Sequence, residues 1–338
     1  MMYCKSTLML LIAIIFMTCS SHIIAAGVVF GGKTSEYPDW FKESFLEITE
    51  DVAEASEENK HVMLYIYLNN CPYCHKMLED NIKNAPYTDF IKQHFDIIAI
   101  NMKGDRNVQM NDELSLTEKE LAAQLKVMYT PTIVYLNSDN KIVARTNGYR
   151  SVKDFKLVLN FVQQKQYEKT SLVKYLNKHK SQVYSFRDHP QIKPITDLKS
   201  AATNPLAILF EDKACFDCNT LHDKHLASQE VKEILKSFTL VRLDALSEQA
   251  IIDPQGNTTT AKAFAEKLGL SYRPGLVLFD RGIEIIRIQS MLYSYQFAET
   301  LRYVGERLYE KYPDSFYDYL DARTIELTKS GQDVYLSD

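Results

Sequence analysis

The sequence predicts an α/β protein built from two repeated units, each with a central mixed sheet flanked by helices. The first observation is a pair of C-x-x-C motifs, Cys71–Cys74 and Cys215–Cys218, whose first cysteines stand 144 residues apart. The second is a short apolar run directly before each motif, which is typical of a strand buried on both faces of a sheet. The runs are "VMLYIYL" (62–68) and "LAILF" (206–210).

The segments that follow each motif also correspond, which is the third observation. Each motif precedes a helix, a second apolar strand, a further helix, a proline, a hairpin and an amphipathic last helix. The second strands are "FDIIAI" (95–100) and "FTLVRL" (238–243). The prolines, Pro131 and Pro274, come 60 and 59 residues after Cys71 and Cys215. The last helices carry apolar residues at helical spacing: Phe155, Leu159 and Val162, then Phe297, Leu301 and Val304.

Length and charge place the chain in a broad class. Its 338 residues are enough for two ordinary domains, and 46% hydrophobic with 25% charged content is ordinary for a globular protein. The formal net charge of −5 argues against nucleic acid or an anionic membrane surface as a partner.

The N-terminus predicts export. Lys5 precedes the apolar run "LMLLIAIIFM" (8–17), and an Ala-Ala-Gly exit follows. This pattern indicates a signal peptide over residues 1–26, cleaved near Ala26–Gly27, and therefore a periplasmic or secreted protein. An uncleaved membrane anchor and a lipoprotein modified at Cys19 are the alternatives.

The number and spacing of the cysteines favour a chemical role over a purely structural one. Cleavage would remove Cys4 and Cys19 and leave only the two C-x-x-C pairs. Closing a four-residue loop stabilises by only about 2 kcal/mol, against about 3 for fifteen residues. A zinc site built from both pairs is the other use of four cysteines, but zinc modules keep their two pairs within about 20 residues of each other. We therefore predict neither a metal nor a cofactor.

This order of elements resembles the thioredoxin fold, present twice, over residues 37–166 and 194–311. Residues 167–193 are then a linker with a short docking helix, and residues 312–338 a C-terminal helix and tail. The stretch "YPDWFKESFLEITEDVAEASEENKHVMLYIYLNNCPYCHKM" (37–77) resembles the exported SoxW-type thioredoxins, and the similarity is weaker in the second unit. The resemblance implies a thiol–disulfide oxidoreductase of the periplasm.

The first motif has the features that disulfide exchange requires. The thiolate is the reacting species, and the positive end of a helix stabilises it. Cys71 is expected to attack the partner disulfide and Cys74 to resolve the mixed disulfide. Pro72 suits the first helical turn, where an N–H would have no partner.

The resemblance also suggests where a partner binds. Thr130–Pro131 and Arg273–Pro274 stand at the place of the family's cis-proline, and with Pro72 and Tyr73 they would shape the substrate-binding edge. Two long loops emerge beside the motifs and are either walls of the redox sites or surface insertions. They span residues 102–116 and 244–260.

Two departures leave roles open. Strongly reducing thioredoxins bury an Asp six residues before the first cysteine, whereas Tyr65 and Leu209 stand there, so oxidant, reductant and isomerase all remain possible roles. In the second motif, acidic side chains would disfavour a thiolate, so this site is either a relay or an inert bridge, and Cys71 should be alkylated before Cys215. The acids are Glu211, Asp212 and Asp217.

The leading hypothesis is an enzyme that exchanges disulfides with protein thiols and disulfides through Cys71 and Cys74, with a membrane electron donor as one further candidate partner. The alternative is a non-catalytic binding protein or chaperone for a cysteine-containing or copper-bearing partner. The oligomeric state is not predicted. We expect the units to pack through faces other than the redox faces, with the pairs beyond the Cα separation of about 4.4–6.8 Å that a disulfide can span.

Overall fold

The computed structural model describes residues 26–179, 184–215 and 217–337. The predicted signal peptide therefore lies outside the described residues, except for Ala26. Within those ranges, no helix is both long enough and apolar enough to span a membrane. The chain folds as two α/β units with central mixed sheets, which confirms the predicted fold class.

The first unit contains a four-stranded sheet in the order β3-β2-β6-β7, in which β2 runs parallel to β3 and antiparallel to β6. The elements of this half are β1 (Val29–Phe30), α1 (Ile48–Glu57), β2 (His61–Tyr67), α2 (Pro72–Met77) followed by a π-helical turn (Leu78–Lys83), α3 (Thr88–His94), β3 (Phe95–Asn101), β4 (Asn107–Asn111), β5 (Leu114–Thr117), α4 (Glu118–Gln124), β6 (Thr132–Leu136), β7 (Ile142–Asn147), α5 (Val152–Gln163), a 3₁₀ turn (Gln166–Glu168) and α6 (Leu172–His179).

The second unit repeats this arrangement in a five-stranded sheet, in the order β14-β13-β9-β10-β8. Its elements, with those of the C-terminus, are β8 (Ile192–Lys193), α7 (Leu198–Ala201), β9 (Leu206–Glu211), α8 (Cys218–Thr220) followed by a π-helical turn (Leu221–His225), α9 (Gln229–Ile234), a 3₁₀ turn (Leu235–Ser237), β10 (Thr239–Asp244), β11 (Ala250–Ile252), β12 (Thr258–Thr260), α10 (Ala261–Lys267), β13 (Gly275–Asp280), β14 (Ile283–Ile288), α11 (Ser294–Gly305), a 3₁₀ turn (Leu308–Glu310), α12 (Phe316–Lys329) and β15 (Val334–Tyr335).

The central strands β2 and β9 explain why both motifs sit where they do. All of β9 is buried, and so is β2 up to its last residue, because helices cover both faces of each sheet. The chain leaves β2 and β9 at their carboxyl ends and enters the two C-x-x-C motifs there. The strands β6 and β13 then begin just after the cis peptide bonds at Thr130–Pro131 and Arg273–Pro274, which confirms the predicted cis bond before Pro131.

The two long loops fold as hairpins, β4–β5 and β11–β12. Each hairpin also forms a single bridge to the residue just before a helix: Glu47 pairs with Gln109, and Asp197 pairs with Ile252. The hairpins are thus anchored at the entry to α1 and to α7.

The expectation that the units pack through faces other than the redox faces is wrong for the first unit. Tyr73, inside the first motif, stacks on Tyr293 at 4.7 Å between ring centroids. Tyr129, in the cis-proline loop, donates a hydrogen bond to Thr300 of α11 at 3.3 Å. The physical reason is apolar surface: these aromatic rings are buried against the second unit, and one core cluster contains residues of both units.

The segments outside the sheets also join the halves. Helix α6 packs on the first unit through Leu176, and its Lys174 forms an ion pair with Glu266 of the second unit at 3.5 Å. Helix α12 lies across both units, and its Asp321 accepts a hydrogen bond from Lys103 at 2.6 Å. At the ends of the described chain, β1 and β15 pair in parallel.

Candidate functional site

The first cysteine pair closes at the start of a helix. Cys71 and Cys74 form a disulfide with a Cα separation of 5.3 Å. Cys71 is the N-cap of α2, its Sγ accepts the backbone N–H of Cys74 at 3.0 Å, and Pro72 occupies the first helical position. Residue Cys71 is 7% exposed and Cys74 1%. The more exposed cysteine is thus the one at the helix end, where the N–H groups favour negative charge.

The cis-proline loop faces this sulfur from the other side. Thr130 Oγ1 lies 3.3 Å from Cys71 Sγ, and Thr130 is itself 3% exposed. Because a disulfide sulfur carries no proton, the threonine hydroxyl must be the donor. Cys71 Sγ therefore has two hydrogen-bond donors aimed at it, the Thr130 hydroxyl and the Cys74 N–H.

Tyr65 stands six residues before Cys71, the position at which this sequence lacks the buried Asp of strongly reducing thioredoxins. Its hydroxyl donates to the Cys74 carbonyl oxygen at 2.8 Å. Burial raises the pKa of Tyr65 well above its ordinary value, so the phenol stays protonated at neutral pH. Tyr65 therefore holds the first turn in place and does not accept a proton from Cys74.

A cleft of about 570 Å³ opens over Cys71. Its walls come from β1 and the residues after it, the loop between β2 and α2, and helices α11 and α12. Among the residues that line it are Phe30, Gly32, Asn70, Cys71, Pro72, Thr130, Gln296, Tyr317 and Leu320. Among the described residues, those that line this cleft include none of the 102–116 or 244–260 segments, so the walls come instead from β1, the residues after it, the loop before α2, and helices α11 and α12.

The structure brings only part of the predicted substrate-binding set to the cleft. Pro72 and Thr130 line it, with Pro131 bonded next to Thr130. Tyr73 is 2% exposed beneath Tyr293. In the second unit, Pro274 lines a separate cavity of about 30 Å³, whose lining residues all belong to that unit.

Arg273 turns inward instead of towards a partner. Its Nη1 donates to the carbonyl oxygens of Leu270 at 2.8 Å and Tyr272 at 3.0 Å. Its Nε lies 3.0 Å from Asp212 Oδ2, and both residues are buried. Burial lowers the pKa of Arg273, and the negative charge of Asp212 opposes that shift. This side chain therefore fills the interior of the second unit.

The second cysteine pair is buried. Cys215 and Cys218 form a disulfide with a Cα separation of 5.5 Å, and they are 1% and 0% exposed. Helix α8 begins only at Cys218, with Asp217 as its N-cap, so Cys215 lacks the position that Cys71 has. Tyr184, from the segment between the units, packs against both cysteines and is 6% exposed.

The acids around the second pair are partnered. Glu211 Oε1 accepts the Tyr184 hydroxyl at 3.2 Å and lies 2.8 Å from His222 Nε2. Tyr272 donates to Asp217, and Asp212 pairs with Arg273. The expected repulsion of a thiolate by bare acids is therefore weakened, and it is burial that sets the second pair apart from the first.

Sequence reasoning missed the residues that cover the two pairs. Tyr184, Tyr293 and Tyr317 come from segments outside the strand and motif pattern, and Glu211, expected only as an acid near the second motif, accepts the Tyr184 hydroxyl. Residues 312–338 are rich in tyrosine, which was the available signal for Tyr317. The contacts themselves join residues far apart in the chain: 187 positions separate Tyr317 from Thr130, and 220 separate Tyr293 from Tyr73. No local periodicity reports on contacts of that range.

Comparisons with known proteins identify one domain family in both units. The family described as "Thioredoxin-like domain" matches residues 48–163 and 196–305, about two thirds of the chain. A thioredoxin-fold protein from Helicobacter pylori has 25% identity and a TM-score of 0.32, over 40% of this chain and 92% of its own. A Thermus thermophilus thioredoxin has 22% identity and a TM-score of 0.27, over 40% and 87%.

The C-terminal domain of DsbD from Neisseria meningitidis, in its oxidised form, has 18% identity and a TM-score of 0.24, over 32% of this chain and 85% of its own. Curated protein sequences give no match. Because all three TM-scores are below 0.5, the match of the domain family carries the assignment. With two thioredoxin-like regions, each built around a closed C-x-x-C pair, the chain belongs to the thioredoxin-like domain family.

Proposed function

We propose that this protein is an exported thiol–disulfide oxidoreductase that exchanges disulfides with protein partners through Cys71 and Cys74. The observation that carries the proposal is the position of Cys71: it caps α2, accepts the Cys74 N–H, and lines an open cleft beside the cis-proline loop. A structural bridge would need neither the cleft nor the helix end.

The exchange conserves atoms and electrons in two steps. A partner thiolate attacks Cys71 Sγ, a bond forms between the partner sulfur and Cys71, and Cys74 leaves as a thiolate that takes up a proton from water. A second partner thiol, after losing its proton, attacks the partner sulfur and releases Cys71 as a thiolate. The partner is then oxidised to a disulfide and the pair is reduced to two thiols. The same steps in reverse reduce a partner, and the potential of the pair sets the direction.

Trapping tests this assignment. Reduced Cys74→Ser protein should accumulate a mixed disulfide between Cys71 and an oxidised protein substrate such as insulin, because no thiol remains to resolve it. Cys71→Ser should abolish both the adduct and turnover in an insulin assay, whereas Cys215→Ser should keep the adduct on Cys71. Mass spectrometry of the trapped peptide identifies the sulfur involved.

Three results would contradict the proposal. Turnover that persists in Cys71→Ser would move the chemistry elsewhere. A trapped protein carrying only an internal bond from Cys71 to Cys215 or Cys218 would mean a self-contained relay. Capture of partners that survives loss of all four thiols would instead favour the binding protein or chaperone.

The second pair is a slower relay or an inert bridge in this proposal. Its burial and the late start of α8 support the lower reactivity. Export rests on the signal-like residues 1–26 and on the resemblance of residues 37–77 to SoxW-type thioredoxins. N-terminal sequencing of the protein purified from its native host should give a start near Gly27; a start at Met1 would contradict cleavage of a signal peptide.

A further inference from the structure

A tyrosine from outside both matched regions lies against the first redox site. Tyr317 belongs to α12, which follows the second region, and it is 4% exposed. Its hydroxyl oxygen lies 3.0 Å from the backbone N of Thr130 and 3.1 Å from Thr130 Oγ1. The same Oγ1 lies 3.3 Å from Cys71 Sγ. The phenol is thus one residue removed from the exchanging sulfur.

The directions of these hydrogen bonds follow from the atoms involved. The Thr130 N–H can only donate, so the Tyr317 oxygen accepts there. In the part of the chain that the structure describes, Thr130 Oγ1 is the acceptor available to the Tyr317 proton. With its oxygen receiving that proton, Thr130 turns its own hydroxyl proton towards Cys71 Sγ. The two hydroxyls therefore form one directed chain that ends on the sulfur.

The phenol keeps its proton under working conditions. Burial raises the pKa of Tyr317, while the hydrogen bonds with Thr130 oppose that shift. A neutral tyrosine at pH 7 is the form that can donate to Thr130. Among the described residues of the second unit this arrangement is not repeated, because Arg273 stands in place of Thr130 and its Nη1 donates to carbonyl oxygens within its own loop.

We propose that Tyr317 is a positioning residue for disulfide exchange, which acts through Thr130 to hold a hydrogen-bond donor on Cys71 Sγ and so stabilises the Cys71 thiolate. The inference rests on the proposed function in taking Cys71 as the exchanging sulfur. A donor to the thiolate raises its population at neutral pH and makes it a better leaving group from the mixed disulfide. The C-terminal helix therefore sets the reactivity of a site that belongs to the other unit.

The test is the pH dependence of Cys71 alkylation in the reduced full-length protein. Iodoacetamide is the probe, and peptide mass spectrometry follows Cys71 separately from the other thiols. Tyr317→Phe keeps the ring and removes the hydroxyl, and it should raise the pH midpoint of Cys71 alkylation by ~1 unit. Thr130→Val should raise the midpoint at least as much, and Thr130→Ser, which keeps a hydroxyl, should stay near wild type.

Tyr319→Phe is the matched control. Tyr319 lies on the same helix, is also buried, and donates its hydroxyl to Glu299, away from the cysteines. Its midpoint should equal that of the wild type. In Tyr317→Phe/Thr130→Val the midpoint should match that of Thr130→Val alone, because both changes break the same chain.

An unchanged midpoint in Tyr317→Phe, or an equal shift in Tyr319→Phe, would overturn the proposal. Melting temperatures of the variants show whether a shift in the alkylation midpoint follows from a general loss of stability. Tyr317→Phe should shift this midpoint even if its melting temperature equals that of Tyr319→Phe. Failure of the proposed function is separate: it would show as insulin turnover without Cys71, which the alkylation midpoint does not measure.

Discussion

Cys71 and Cys215 begin motifs of the same spacing, yet their surroundings differ. Cys71 lines a cleft and accepts the Cys74 N–H, whereas Cys215 is 1% exposed beneath Tyr184. A buried disulfide reacts with an external thiol only after local opening, so the tyrosine adds an opening step to the second pair. Exposure alone therefore favours attack at Cys71.

Replacing Tyr184 should expose the second pair. In the wild type, dithiothreitol should reduce Cys71–Cys74 before Cys215–Cys218, and reduced Cys71 should be alkylated before Cys215. In Tyr184→Ala, reduction of the second pair should accelerate about tenfold or more, because truncating a buried aromatic side chain removes several kcal/mol of local packing. Timed quenching with iodoacetamide and peptide mass spectrometry gives both rates.

Two control variants separate the effect of the Tyr184 ring over the sulfurs from the effect of its hydrogen bond. Tyr184→Phe keeps the ring over the sulfurs and loses only the bond to Glu211, so its rate should stay near wild type. Phe186→Ala changes a neighbouring, partly exposed ring on the same segment and should have little effect. Equal rates in Tyr184→Ala and the wild type would contradict a covering role.

At the scale of elements, the two motif helices differ at their first turn. Helix α2 begins at Pro72, directly after the capping Cys71, and it continues into the π-helical turn. Helix α8 has only three residues before its own π-helical turn, and it begins at the second cysteine of its motif. Proline is well suited to the first helical position, because its backbone is already near the helical angle and it lacks an N–H to leave unpaired. The stronger helix end therefore stands at the more exposed pair.

The segments that follow each unit are also elements with a shared role. Tyr184 follows α6, which packs on the first unit, and it covers the cysteine pair of the second unit. Tyr317 lies on α12, which follows the second unit, and it contacts the cis-proline loop of the first. Each unit thus depends on the other unit's extension to complete the surroundings of its cysteines.

At the scale of the whole molecule, equivalent loops of the two units meet. Gly148 follows β7 and Ser290 follows β14, and a Cβ added at Gly148 would overlap the Ser290 side chain. Beside them, Arg150 Nη1 donates to the Gln289 carbonyl oxygen at 2.8 Å, and its guanidinium lies 4.6 Å from the centre of the Tyr272 ring. Close approach of these loops requires a residue without a side chain at position 148.

Gly148→Ala should therefore loosen the contact between the units. Gly269→Ala is the matched control, because Gly269 has φ +66° against +68° for Gly148 and no atoms near its added Cβ. The control should lose about 1–2 kcal/mol from the left-handed backbone alone. Gly148→Ala should lose a further 1–3 kcal/mol, roughly the cost of overpacking. Equal falls in the melting temperature of the two variants would contradict close packing of these loops.

The local pattern of residues was sufficient for the fold class, the duplication and the helix start after Cys71, and the resemblance to the thioredoxin fold added the cis bond before Pro131. The first three features depend on neighbours a few residues apart: apolar runs, a proline at the first helical position, and the matching of two stretches of one chain. The same reasoning could name Cys71, Cys74, Cys215 and Cys218, because spacing alone identifies a C-x-x-C pair.

Which surfaces of the two units pack together could be read only from the folded structure. Thr130 and Tyr317 are 187 residues apart, and Tyr73 and Tyr293 are 220 apart, so no periodicity links them. Which aromatic faces become buried depends on the free energy of packing two complete units together, and that is a property of their shapes. This is why the sequence pointed to separate redox faces, while the structure encloses one pair and places the other in a cleft built from both units.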